Sequence, residues 1–386
     1  MPVRNRFAEL HDEITAWRRD FHEHPEILFD VHRTAGIVAQ KLKDFGCDEV
    51  VTGIGRTGVV GVIRGKGQGG RTVGLRADMD ALPIEEATGV PYASKTPGAM
   101  HACGHDGHTA MLLGAAKYLA ETRNFDGTVV VIFQPAEEGG GGGREMVDDG
   151  MMDRFGIDEV YGMHKCPGQP VGHFTIRPGP FFDATDVFDI TIEGKGGHGA
   201  KPHETLDSTV AACQVVLGLQ TIASRNVDPN KEIVVSVTSF RTSSSAFNVI
   251  PQRVELKGTV RTLDEATHDL AEERLRAITG NIAAAFGCEA RIDYLRNYPV
   301  MVNSETETEY AAQAARRVSG DCALAEPTMG GEDFAFMLNA RPGAYILVGN
   351  GDTAKVHSPD YNFNDEVIPS GCSWYVEMAE SRLPLG

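Results

Sequence analysis

One thiol and three imidazoles fall within the segment His101-Ala102-Cys103-Gly104-His105-Asp106-Gly107-His108. Further on, Gln134-Pro135-Ala136-Glu137-Glu138 sets two adjacent carboxylates just past the apolar run Val129 to Phe133. Sulfur, nitrogen and carboxylate donors in such company point to a catalytic transition-metal centre. A structural zinc would use Cys-x-x-Cys pairs, and the chain has none.

The elements that must position these donors can be read from the patterning. Residues 6–24, 32–45 and 107–121 carry helical periodicity, and 59–63, 72–75, 128–133 and 159–163 read as strands. Such alternation predicts a layered α/β domain. From residue 186 the order becomes strand (186–193), helix (206–224), strands (233–240 and 253–261), helix (265–286) and strand (290–294). This β-α-β-β-α-β order is ferredoxin-like. A helix (305–318), a strand (344–348) and a helix (365–382) then resume the first style. The expected organisation is one catalytic domain made of residues 1–182 and 297–386, interrupted by an inserted domain of residues 183–296.

Strand ends are where α/β domains build sites. Glu137 and Glu138 follow one strand, His164 another, and His357 lies in a loop after a third. Cys103, His105, Glu138, His164 and His357 are therefore the proposed ligands. Five donors exceed one tetrahedral zinc but suit two cations about 3.5–4 Å apart, one donor bridging them. Glu137, beside a ligand, is placed to take a proton from a water and return it to a leaving amine. Asp78 and Asp80 follow an apolar strand and can orient the ligands through hydrogen bonds.

The 386 residues suffice for a sizeable core, and the net charge of −18 shows no basic stripe for nucleic acid. Mean hydropathy is −0.21, and no stretch approaches twenty apolar residues, so no membrane span is expected. Seven scattered cysteines do not read as a disulfide framework, and the N-terminus lacks a secretory core, so the expected compartment is the cytoplasm. The Gly139–Gly143 run lacks a following Gly-Lys-Ser/Thr and reads as a flexible loop, not a phosphate loop.

Taken together, the motifs resemble those of the dinuclear-metal aminoacylase and carboxypeptidase superfamily. The resemblance is strongest to its branch of hippurate hydrolases, N-acyl-amino-acid amidohydrolases and auxin-conjugate hydrolases. It runs through Arg19-Asp20-Phe21-His22-Glu23-His24-Pro25-Glu26, Arg76-Ala77-Asp78-Met79-Asp80-Ala81-Leu82-Pro83 and the Cys103/His105 block. It continues through Gln134 to Glu138, Gly196-Gly197-His198, Phe247-Asn248-Val249-Ile250-Pro251 and Gly330-Gly331-Glu332-Asp333-Phe334. It implies a catalytic α/β domain with a central mixed sheet and an inserted domain that acts as lid and dimerisation element, giving a homodimer or homotetramer. It implies the same five ligands, two divalent ions (Mn, Zn, Co or Ni) and Glu137 as general base. His198 would polarise the scissile carbonyl; Asn248, Arg261 and Gly331 would hold the substrate, Arg261 by its carboxylate. One departure is Gly199-Ala200 after His198, where the family commonly has two alanines. The implied reaction is amide hydrolysis of a small-molecule N-acyl amino acid such as a benzoyl or acetyl derivative. The alternative is a dipeptidase or carboxypeptidase of the same fold.

Overall fold

The computed structural model describes residues 2–67 and 69–386, residues 2–4 by backbone alone. The chain forms two compact units, one of Met1–Gly179, Val302–Glu326 and Asp333–Gly386, the other of Pro180–Met301 and Pro327–Glu332.

The first unit is built on an eight-stranded sheet. Its strands, in order across the sheet, are Glu49–Ile54, Gly58–Arg64, Thr128–Gln134, Thr72–Asp78, Glu159–Cys166, Gly343–Gly349, Phe174–Ile176 and Ala323–Leu324. The four central strands, Thr128–Gln134 through Gly343–Gly349, run parallel. Gly58–Arg64 and Phe174–Ile176 run antiparallel to their inner neighbours, so the sheet is mixed. Central parallel strands are covered on both faces and need continuous apolar, β-branched runs. Val129 to Phe133 is such a run, and all five residues are buried. Parallel strands also end on one edge, with Asp78 paired to Gln134 in register. That edge gathers Asp78, the Glu137–Glu138 turn and His164.

Helix His105–Thr122 packs with helices Pro2–Glu23 and Ile368–Arg382. It is buried continuously from His105 to Ala116. A helix enclosed on all sides needs no polar stripe, which accounts for its apolar composition. At Gly107 a Cβ would lie 2.2 Å from the Phe363 ring, so only glycine admits that neighbour.

Three elements depart from the patterning. Strand Glu49–Ile54 is a half-exposed edge, interrupted by Gly53. Helix Gly142–Asp148 begins inside the glycine run read as a loop, and helix Phe334–Ala340 is too short to show periodicity. His164, expected after its strand, lies within Glu159–Cys166.

The second unit has strand Ala184–Glu193, helix Ser208–Thr221, strands Ile233–Thr242 and Arg253–Thr262, helix Glu265–Ala285 and strand Glu289–Tyr298. The antiparallel sheet runs Ile233–Thr242, Arg253–Thr262, Ala184–Glu193, Glu289–Tyr298, which is ferredoxin-like. Ile190, Ile192, Val215, Leu219, Leu256 and Leu275 form its core. The first helix starts at Ser208 because the Asp207 side chain accepts the amides of Thr209 and Val210. No described helix is long and apolar enough to cross a membrane.

Candidate metal centre

The first unit brings the five proposed ligands together. Cys103, His105 and His164 each offer a donor atom within 4.8 Å of the others; so do Cys103, Glu138 and His357, and so do His105, Glu137 and Glu138. The triads overlap at Cys103, His105 and Glu138, which makes one continuous cluster. Cys103 Sγ lies 3.4 Å from His164 Nε2, and His357 Nε2 lies 3.3 Å from Glu138 Oε1. Glu137 is buried at the cluster's side, its Oε2 4.0 Å from His105 Nε2.

Local hydrogen bonds aim each donor. His105 Nδ1 donates to the Asp80 carbonyl at 2.8 Å. A carbonyl only accepts, so Nδ1 carries a proton and Nε2 is turned into the cluster. In the same way His164 Nδ1 donates to the Lys165 carbonyl at 2.7 Å, turning Nε2 toward Cys103. The Asp80 carboxylate accepts the amides of Glu137 and Glu138 at 3.0 and 3.1 Å. Two successive amides face one anion there because Ala136 adopts a left-handed φ of 53°. His357 is also left-handed, at 62°, and its amide donates to the Ala102 carbonyl at 2.9 Å. That bond ties the loop to the residue before Cys103.

The donor chemistry fits divalent transition-metal ions. Among the described residues, buried His105 Nε2 has no hydrogen-bond partner, the state of a nitrogen reserved for a cation. Burial, with the Lys165 charge, holds His164 well below the ordinary histidine value, so it is neutral as a ligand must be. Hydrogen bonds to Cys103 and Glu138 raise His357 to about 10. Burial resists charging His105, yet Asp78 and Cys103 hold it well above its usual value. The sulfur and carboxylates thus attract positive charge from both rings.

Further buried residues support the cluster without belonging to the expected ligand set. His108 Nδ1 donates to Asp78 Oδ1 at 2.6 Å, and its Nε2 accepts the Lys165 amide at 3.0 Å. Both nitrogens are engaged, so His108 is a strut despite lying in the histidine run. Buried Arg76 binds Asp78 at 2.7 Å and Asp333 at 3.0 Å. Asp106 accepts from His22 Nδ1 at 2.8 Å and anchors the start of the central helix to the first helix. No spacing in the sequence distinguishes such struts from ligands.

The other site candidates lie in the second unit. Gly197–His198 pairs with Val249–Ile250, and the Gly199 amide donates to the Asn248 carbonyl at 2.7 Å, so His198 and Asn248 are neighbours. A Cβ at Gly199 would lie 3.1 Å from that carbonyl, a close approach that favours glycine there. His198 Nδ1 accepts the Ala200 amide at 3.1 Å, which leaves Nε2 as the exposed donor. Arg261 and Gly331 meet at Thr185: Arg261 donates to its hydroxyl, and a Cβ on Gly331 would sit 2.1 Å from Oγ1.

This fold and donor set are those of a known hydrolase class. Residues 74–381 match Peptidase family M20/M25/M40, and the chain belongs to that family. The hippurate hydrolase of Campylobacter jejuni is 42% identical over 374 residues, 96% of this chain and 97% of its own. The N-acetylcysteine deacetylase of Bacillus subtilis is 37% identical over 371 residues, with 96% and 97% covered. Among solved structures, the Bacillus subtilis YXEP protein, a dinuclear metal binding peptidase from the M20 family, superposes with a TM-score of 0.85. It is 34% identical and covers 97% of this chain and 99% of its own. The protein is a metal-dependent amidohydrolase.

Proposed function

We propose that the protein hydrolyses the amide bond of N-acyl L-amino acids to a carboxylic acid and a free amino acid. The overlap of three donor triads, with Glu137 beside them, is the observation that carries this reading. Cys103, His105, Glu138, His164 and His357 would hold two divalent ions drawn from Mn, Zn, Co or Ni. Such ions, when bound, acidify a water and polarise a carbonyl.

Glu137 takes the proton of the attacking water and delivers it to the departing nitrogen. Asp78 and Asp80 keep the donors in place. His198 donates through Nε2 to the carbonyl oxygen as negative charge develops there. Asn248 and the Gly331 backbone orient the substrate, and the Arg261 fork holds its free carboxylate. Hippurate and N-acetylcysteine, which name two relatives, are both N-acyl amino acids. Two or four copies associate through the second unit, in the cytoplasm, a compartment that suits seven free cysteines.

The test is a substrate panel on metal-stripped protein restored with each of the four ions. Hippurate and N-acetyl amino acids should be cleaved and free dipeptides should not. Preferential cleavage of free dipeptides would give the protein to the peptidase alternative, and no hydrolysis with any ion would remove the reading.

A further inference from the structure

Asp183, at the entrance to strand Ala184–Glu193, has no role in the reading above. It is fully buried, and among the described residues its Oδ2 has no hydrogen-bond partner. Its Oδ1 lies 3.6 Å from Arg261 Nη1. Thr185 joins the two: its hydroxyl accepts from Arg261 Nη1 and donates to Asp183 Oδ1 at 3.4 Å. The arrangement is set by the sheet, where Arg261 and Thr185 are cross-strand partners. The Asp183 amide is anchored to the Thr328 carbonyl at 3.2 Å, in the segment that carries Gly331. Arg261 is partly exposed, while its Nη1 faces the buried carboxylate.

We propose that Asp183 is a specificity-determining residue: its buried carboxylate offsets the Arg261 charge and so limits how tightly the site holds the free carboxylate of a substrate. This rests on the reading that Arg261 binds that carboxylate. The nearby acid Asp186 is engaged elsewhere, accepting from His268 at 2.5 Å and from Tyr294 at 2.6 Å, which leaves Asp183 as the counter-charge of Arg261. Burial raises the Asp183 carboxyl to about 6 against the pull of Arg261, so it is ionised at neutral pH and above. A substrate carboxylate held by the guanidinium would meet repulsion from this fixed charge, worth about tenfold in affinity at a partly screened site. The wild-type preference for an N-acyl amino acid over its neutral amide is accordingly smaller than Arg261 alone would give.

The experiment compares N-benzoylglycine with N-benzoylglycinamide on metal-loaded wild-type, Asp183→Asn, Asp183→Ser and Arg261→Met enzymes, with thermal unfolding of each. Asp183→Asn and Asp183→Ser are expected to lower KM for the acid about tenfold, leaving kcat and the KM for the amide unchanged. An acid KM that stays level or rises in whichever Asp183 variant folds would overturn the proposal. Arg261→Met should abolish the preference for the acid. If that preference survives Arg261→Met, the carboxylate-binding reading fails instead, so the two failures are distinct.

Discussion

Asp80 grips Glu138 through its backbone, its Oδ2 accepting the Glu138 amide at 3.1 Å while Oδ1 accepts that of Glu137. Its own carbonyl fixes the His105 ring. One residue therefore sets two donors and the proposed base without occupying a ligand position. Asp80→Asn would turn an amide donor toward one of these two backbone donors. Metal affinity should fall about 10–100-fold, the usual cost of removing such support. Competition against a chromophoric chelator measures it, and an unchanged affinity would show that the turn holds itself.

Glu137→Gln separates proton transfer from metal binding. The variant should retain its metal content, read by plasma mass spectrometry. Its kcat should fall by about 10²–10⁴ with KM little altered. Turnover near wild type would exclude Glu137 as the base.

Cys103→Ala removes the sulfur shared by two triads. The side chain is small and buried beside the helix start, so the fold should survive. Metal content should drop at equal protein concentration with the circular dichroism unchanged. Full metal occupancy in a folded variant would remove Cys103 from the ligand set.

His22 predicts a pH dependence of stability. Burial disfavours its charged form, but hydrogen bonds to Asp106 and Glu86 prevail and raise it to about 9. A raised folded-state value stabilises fully below the unfolded value of about 6.5, and the stabilisation is lost as pH rises through about 9. Thermal unfolding of the wild type should therefore weaken between these limits. His22→Gln should be less stable at neutral pH and show a flatter profile. Parallel profiles would mean that the ring is neutral throughout.

The large elements were legible because periodicity reports burial: the run Val129 to Phe133 and the second unit's strand–helix order each follow a pattern longer than local noise. Strand Glu49–Ile54 was not, since an edge exposed on one side and broken by Gly53 carries little pattern. The donor cluster was legible because sulfur, imidazole and adjacent carboxylates are costly to place together without a cation. What escaped was the difference between a ligand and its support. His108 and His105 lie three residues apart on one helix, and only the Asp78 and Lys165 contacts show which ring is already satisfied. Asp183 escaped for a related reason: it meets Arg261 through Thr185, the cross-strand partner of Arg261, and register is invisible in the order of residues.

The bonds that orient His105, His164, Glu138 and the His357 loop all run to the protein's own backbone or to Asp80. The donors are thus aimed by contacts that do not themselves pass through a cation. Thiolate, imidazole and carboxylate together accept several divalent ions, so this donor frame does not by itself select one.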